Sequence, residues 1–193
     1  VGTVTEIYDY LRLLFARIGH PHCPICGREI ERQTKDQITN NIYQLLVTHK
    51  QVGKKPLRLL ILAPLVKDRR GEYTDLFASL RKRGYRKVRV DGVVKSLDDD
   101  FYLIKTNKHT IELVIDAVSL TAETDRVRVA TDVEQALQFG DGEMIVALIN
   151  DASFDMPEEP KDMEDILFSE KFACPVDAIS LPEVEPRIFS FNT

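Results

Sequence analysis

Two short apolar runs, Leu57–Leu62 (interrupted only by Arg58) and Met144–Ile149, limit what this chain can become. Six residues are far too few to cross a membrane and enough for a strand buried on both faces. Between the runs lie two segments of helical period. Residues 73–83 place Leu76, Phe77 and Leu80 inward before Gly84, and residues 125–139 place Val129, Val133, Ala136 and Leu137 inward before Gly140. Arg86–Asp91 alternates, with Val88 and Val90 toward the core and Lys87 and Arg89 the other way. Asp91-Gly92 is a hairpin turn returning through Val93 and Val94. Ile111–Leu120 alternates again, with Ile111, Leu113, Ile115 and Ala117 on one face. The pattern predicts an α+β fold. It has one mixed or antiparallel sheet with helices packed on one face, in a βαββαβ-like order whose nearest named arrangement is ferredoxin-like.

The flanks are less regular. Thr3–Glu6 has capping-box spacing, and Ile7, Leu11, Leu14 and Ile18 then form the stripe of an amphipathic helix stopped by Gly19 and Pro21. A second capping box, Thr34–Gln37, opens a helix whose apolar face is Ile38, Ile42, Leu45 and Leu46. Pro64 is expected to close the first strand, and Lys67–Glu72 to form a charged loop. Phe101–Ile104 is a short strand candidate. Residues 151–165 read as an acidic loop or short helix, and the tail from Phe168 as extended.

Charge is unevenly placed. Residues 51–90 hold twelve Lys/Arg against three acids, a net of +9, whereas residues 151–185 hold eleven acids against two Lys, a net of −9. Such an asymmetry can steer a charged partner to one side. The total of −5 argues against a wholesale nucleic-acid binder. A second role, nucleic-acid binding by the basic 81–89 strip, needs stacking aromatics, and only Tyr85 and Tyr102 are at hand.

Catalytic signatures are sparse: no Walker, Rossmann or nucleophile-elbow motif occurs. Cys23-x-x-Cys26 supplies two zinc ligands where four are needed, and Cys174 is followed by Asp177 where a second pair would put Cys. The expectation is no metal site, no cofactor and no catalytic residue in this chain. A small zinc or redox enzyme built on Cys23 and Cys26 is the third and weakest alternative. Three cysteines cannot build a disulfide framework and suit a reducing cytoplasm. No charged leader precedes Val1, so no signal peptide is expected, and a start without Met reads as a segment of a longer protein.

Several segments resemble one family. Val1–Gly19, Phe172–Pro175 and Leu181–Asn192, with Leu62–Pro64, Gly84-Tyr85, Lys108–Ile111 and Ile166–Ser169 between them, are similar to UvrA, the damage-sensing ATPase of bacterial nucleotide excision repair. The resemblance implies that residues 34–168 are an inserted domain that binds the partner protein UvrB. Residues 1–33 would then be a stub of the first ATP-binding domain, and residues 169–193 a stub leading into the signature and zinc-module region. It implies no ATP hydrolysis by this chain alone, with ATP, magnesium, zinc and DNA belonging to a cytoplasmic, homodimeric parent. In the family's first zinc module two CxxC pairs cooperate; here Asp177 replaces one Cys, and the second pair would lie beyond Thr193. One basic partner-contacting position aligns with Lys87 and another falls at Ala117, where the charge is lost. The partner-binding residues expected are Lys87 and Arg89, helped by Arg86 and by Arg69 and Arg70 of the 67–70 segment. Reversing Lys87 and Arg89 to Glu is expected to weaken UvrB binding with the fold intact.

Overall fold

The structure, a computed structural model, describes residues 7–48, 56–152, 155–172, 174, 181 and 185–189. The Thr3–Glu6 capping box and Asp177 lie outside them. The elements are α1 (Ile7–Ile18), α2 (Lys35–Thr48), β1 (Leu57–Arg70), α3 (Thr74–Lys82), β2 (Lys87–Val90), β3 (Val93–Ser96), β4 (Lys108–Leu120), α4 (Arg126–Phe139), β5 (Glu143–Ile149), β6 (Met163–Ser169) and a final 3-10 turn, Pro186–Phe189. Six strands form one antiparallel sheet in the order β3-β2-β4-β1-β5-β6. The fold is α+β. Its inner four strands carry the split-βαβ pattern, with β4 inserted antiparallel between β1 and β2.

Helices α2, α3 and α4 cover one face. Ile38, Ile42, Phe77, Leu80, Val129, Val133, Ala136 and Leu137 meet Leu59, Ile61, Val88, Val90, Ile111, Leu113, Met144 and Val146 in the main core. Side-chain caps start α2 and α4. Thr34 and Gln37 exchange side-chain-to-backbone hydrogen bonds (3.2 and 2.8 Å), a capping box at α2. Asp125 accepts from the Val127 N–H at 3.0 Å and caps α4. Asp91 and Gly92, both at positive φ, make the tight β2–β3 turn.

Four expectations fail, each for a physical reason. Pro64 does not end β1, which runs on to Arg70; the register against β4 shifts between Pro64 and Val66, and a strand tolerates a missing N–H at such a bulge. Most of the charged loop is therefore the exposed end of a long strand. In β4 the buried set changes phase: Ile111 and Leu113 face the helices, but beyond the bulge opposite Ile61/Leu62 it is Val118 and Leu120 that do so, with Ile115 and Ala117 left more open. Residues 101–104 form an anchored loop and no strand. The expected acidic loop of 151–165 and the start of the expected tail at Phe168 together hide β6, whose Glu164 and Asp165 mask the alternation.

The sheet's second face is not open to solvent. Leu60, Leu62, Val94, Val114, Ala147 and Ile149 form a smaller core there, with Met156 and Met163 packed on it from the 150–163 segment. Arg58, buried on this face, reaches that segment and donates to the backbone carbonyls of Asp151 and of Asp155, the latter at 2.7 Å. In a flat sheet β2 and β6 would stand about 19 Å apart, four strand spacings. Arg89 on β2 nevertheless holds Asp165 on β6 at 2.7 Å, so the sheet curls until its second and sixth strands meet.

Candidate protein-interaction surface

The basic residues of 81–89 separate once folded. Arg81, at the end of α3, is spent on the carbonyls of Leu97 and Asp99. Arg83 lies over the Phe139 ring, 5.6 Å from its centroid. Arg86 is exposed, 3.7 Å from Asp98. Lys87 and Arg89 do point away from the helices, as predicted, but onto the face that the 150–163 segment covers. Lys87 is half-buried and donates to the Glu158 carbonyl at 2.9 Å.

Arg89 corrects the expectation of a displayed cation. Its side chain is 5% exposed and sits between Glu112 (7%) and Asp165 (44%). Glu112 is its direct cross-strand partner, with two contacts of 3.2 Å, and Asp165 adds two of 2.7 Å. Burial would lower the Arg89 pKa, but the hydrogen bonds to Asp165 and Glu112 outweigh it and hold the guanidinium charged. Burial pushes the Glu112 carboxyl up, more than Arg89 pulls it down. The strand's alternation shows which way Arg89 points; only the tertiary curl shows that this direction is inward.

Arg69 and Arg70 are exposed. They end β1 where it pairs with β4 alone, Arg69 opposite His109 and Arg70 opposite Lys108. Neither guanidinium has a hydrogen-bond or ion-pair partner among the described residues, whereas nearby Lys67 pairs with Glu143 (2.7 Å) and Lys108 with Asp68. The backbone beneath them is fixed. Tyr73, in the left-handed region at φ 56°, donates its hydroxyl to the carbonyls of Arg69 and Arg70 at 3.1 and 3.2 Å. Asp68 donates its N–H to Thr110 Oγ1 at 3.3 Å.

Beside this tip runs the 97–107 loop. Its Phe101 packs edge-on against Phe77 of α3, ring centroids 5.0 Å apart. His109 places Nδ1 2.7 Å from the Asp91 carboxylate and Nε2 3.1 Å from the Ile104 carbonyl. Both neighbours are acceptors, so the arrangement favours the imidazolium, in which both ring nitrogens donate. The hydrogen bond to Asp91, then that to Ile104, raises its pKa. Burial alone would raise Asp91, but hydrogen bonds from His109 and the Thr110 N–H prevail and lower it.

The cysteines also come together. A bridge between His22 and Glu29, with Cys23 N–H donating to the Arg28 carbonyl (2.8 Å) and Gly27 N–H to the Cys23 carbonyl (2.9 Å), folds residues 22–29 into a tight knuckle. Gly27 supplies the positive φ of 70° that this turn needs. Cys174, far along the chain, packs against it, and the Sγ atoms of Cys23, Cys26 and Cys174 all lie within 4.8 Å of one another. Three thiolates suit zinc and leave one of four positions for another donor. His20 and His22 do not complete the set: neither brings a ring nitrogen within 4.8 Å of all three sulfurs. The spacing discounted Cys174 as half of a broken second pair; the fold brings it across 148 residues to Cys26.

Comparison with known proteins gives a consistent result. Residues 33–150 match the model of the UvrA interaction domain. The chain is 46% identical over its whole length to the UvrABC system protein A of Methanothermobacter thermautotrophicus, 45% to that of Deinococcus radiodurans and 48% to that of Thermus thermophilus. It spans 18% of the length of each.

Proposed function

The chain belongs to the UvrA interaction domain family, and from that premise we propose that it is the module through which a UvrA protein docks UvrB during nucleotide excision repair. Residues 34–168 form the docking module, and residues 1–33 and 169–193 connect it to the ATP-binding and signature regions of a cytoplasmic, dimeric parent. The module performs no reaction; ATP, magnesium and DNA are handled elsewhere in the parent. Among the described residues no helix is long and apolar enough to cross a membrane.

The observation that carries this reading is the pair of unpartnered guanidinium groups, Arg69 and Arg70, on a backbone fixed by Tyr73 and Thr110. Arginine held on a rigid strand end meets a carboxylate with little ordering cost. Charge complementarity would then set encounter rate and partner choice. Lys87 and Arg89 leave the contact set and Arg86 stays at its margin. Nucleic-acid binding by 81–89 loses support, because those cations do not converge: Arg81, Arg83, Lys87 and Arg89 are each engaged within the fold.

Calorimetry with purified UvrB, without DNA or nucleotide, tests the proposal. Arg69→Glu with Arg70→Glu should weaken binding by about tenfold or more and flatten its dependence on salt. Unchanged affinity in that double variant refutes the site. Tight binding of short DNA by the parent chain, with a steep salt slope and none of UvrB, refutes the function.

A further inference from the structure

We propose that the 97–107 loop supplies the apolar half of that docking surface, with Tyr102 and Ile104 inserting into a partner surface whose apolar centre is ringed by carboxylates. The inference rests on the docking reading above and extends it from charge to shape.

Tyr102 is 84% exposed and Ile104 62%. Single exposed apolar residues are ordinary, but these two stand on a loop pinned at three places. Arg81 holds its start through the carbonyls of Leu97 and Asp99. Phe101, immediately before Tyr102, is locked against Phe77. His109 holds the Ile104 carbonyl, which also accepts the Asn107 N–H at 2.9 Å. Tyr102 therefore sits between two anchored residues. A loop free to move could turn such side chains inward; this one keeps them outward.

The placement joins the loop to the arginine tip. Cross-strand partners point to the same face of a sheet, so Arg69 shares the face of His109, and His109 touches the loop. Lys105 follows Ile104 and adds a further exposed cation. An exposed aromatic ring on a pinned loop, linked through His109 to the strand end that carries Arg69, supplies the residue types enriched at the energetic centre of protein interfaces. The cations around it select a carboxylate-bearing partner, and the loop supplies area to bury.

The test uses the 193-residue chain and UvrB in calorimetry at several temperatures and salt concentrations. Tyr102→Ser with Ile104→Ser changes exposed loop positions only, and circular dichroism verifies the fold. The expected result is affinity about tenfold weaker, an unchanged salt slope, and a smaller negative heat-capacity change than the parent chain. Wild-type affinity in this variant, with weak binding in Arg69→Glu/Arg70→Glu, overturns the inference and leaves the docking reading standing. Wild-type affinity in both overturns the docking reading itself. Loss of affinity for short single-stranded DNA, with UvrB binding unchanged, also overturns it, by making the loop a base-stacking platform.

Discussion

Replacing Arg89 tests whether the curl of the sheet depends on its buried charge. In Arg89→Met the Glu112 carboxylate stays 93% covered with no cation beside it, next to a second acid, Asp165. Breaking a buried pair from one side costs about 3–5 kcal/mol, because the remaining charge is left uncompensated. The Asp165 leg is nearly half-exposed and solvent-screened, so most of the cost comes from Glu112. Against a total stability of about 5–15 kcal/mol this is about a fifth or more of the fold's margin. In urea, at a slope of about 2 kcal/mol per molar, the midpoint should fall by about 1.5–2.5 M with the slope unchanged. Adding Glu112→Leu removes the stranded carboxylate and should recover most of the loss. Hydrogen exchange should locate the damage at β6, the strand Arg89 draws inward. A loss below about 1 kcal/mol in Arg89→Met, or no recovery in the double variant, would refute the reasoning. Charge reversal at Arg89 should thus fail by unfolding the domain, which corrects the expectation that it would weaken docking with the fold intact.

Arg58→Ala removes two hydrogen bonds to carbonyls of the covering segment and should cost about 1–3 kcal/mol, with faster hydrogen exchange confined mainly to residues 150–163; uniform exchange would count against a localised clasp. His109 has a raised pKa when folded, so its contribution is complete below its unfolded value of about 6.5 and fades as the pH climbs through the folded value. The lowered Asp91 contributes above its unfolded value of about 3.9 and is lost in acid, so with Asp91, the Ile104 carbonyl and Arg69 as its neighbours the loop anchor is strongest between about pH 4 and 6.5. The stability gap between the parent chain and His109→Gln should therefore shrink toward pH 9, and a constant gap from pH 5 to 9 would contradict the imidazolium. Purified chain should bind about one zinc through Cys23, Cys26 and Cys174, and Cys174→Ser should abolish it; retention of the metal in that variant would show that the third thiolate is not a ligand.

What could be read from the chain alone divides along physical range. The Thr34–Gln37 capping box, the Asp91-Gly92 turn and the stripes of α3 and α4 depend on residues within one or two turns of each other, and each was legible. Long β1 was not, because a proline usually closes a strand and only the bulge against β4 makes room for Pro64. Strand β6 was hidden for the opposite reason: its start carries Glu164 and Asp165 and continues an acid-rich stretch that a solvent-facing loop would also show. The three-thiol cluster depends on a contact spanning most of the chain, which no local spacing encodes.

The same range argument explains why the charge pattern misled. A segment of net +9 and another of net −9 look like two surfaces for two partners. Here part of each is the other's partner: Arg89 takes Asp165, while Arg58 and Lys87 take carbonyls of Asp151, Asp155 and Glu158. Burying a cation requires acceptors close by, and the acid-rich segment brings them in one stretch of chain. Neutralisation within the fold leaves a smaller excess than the sequence suggests, and geometry decides where it lies. It lies where β1 and β4 outrun their neighbours, since strands paired with only each other have no third strand to supply counter-charges. A long two-stranded end is thus a natural place for unpaired arginine, and the place at which this fold can meet an acidic partner.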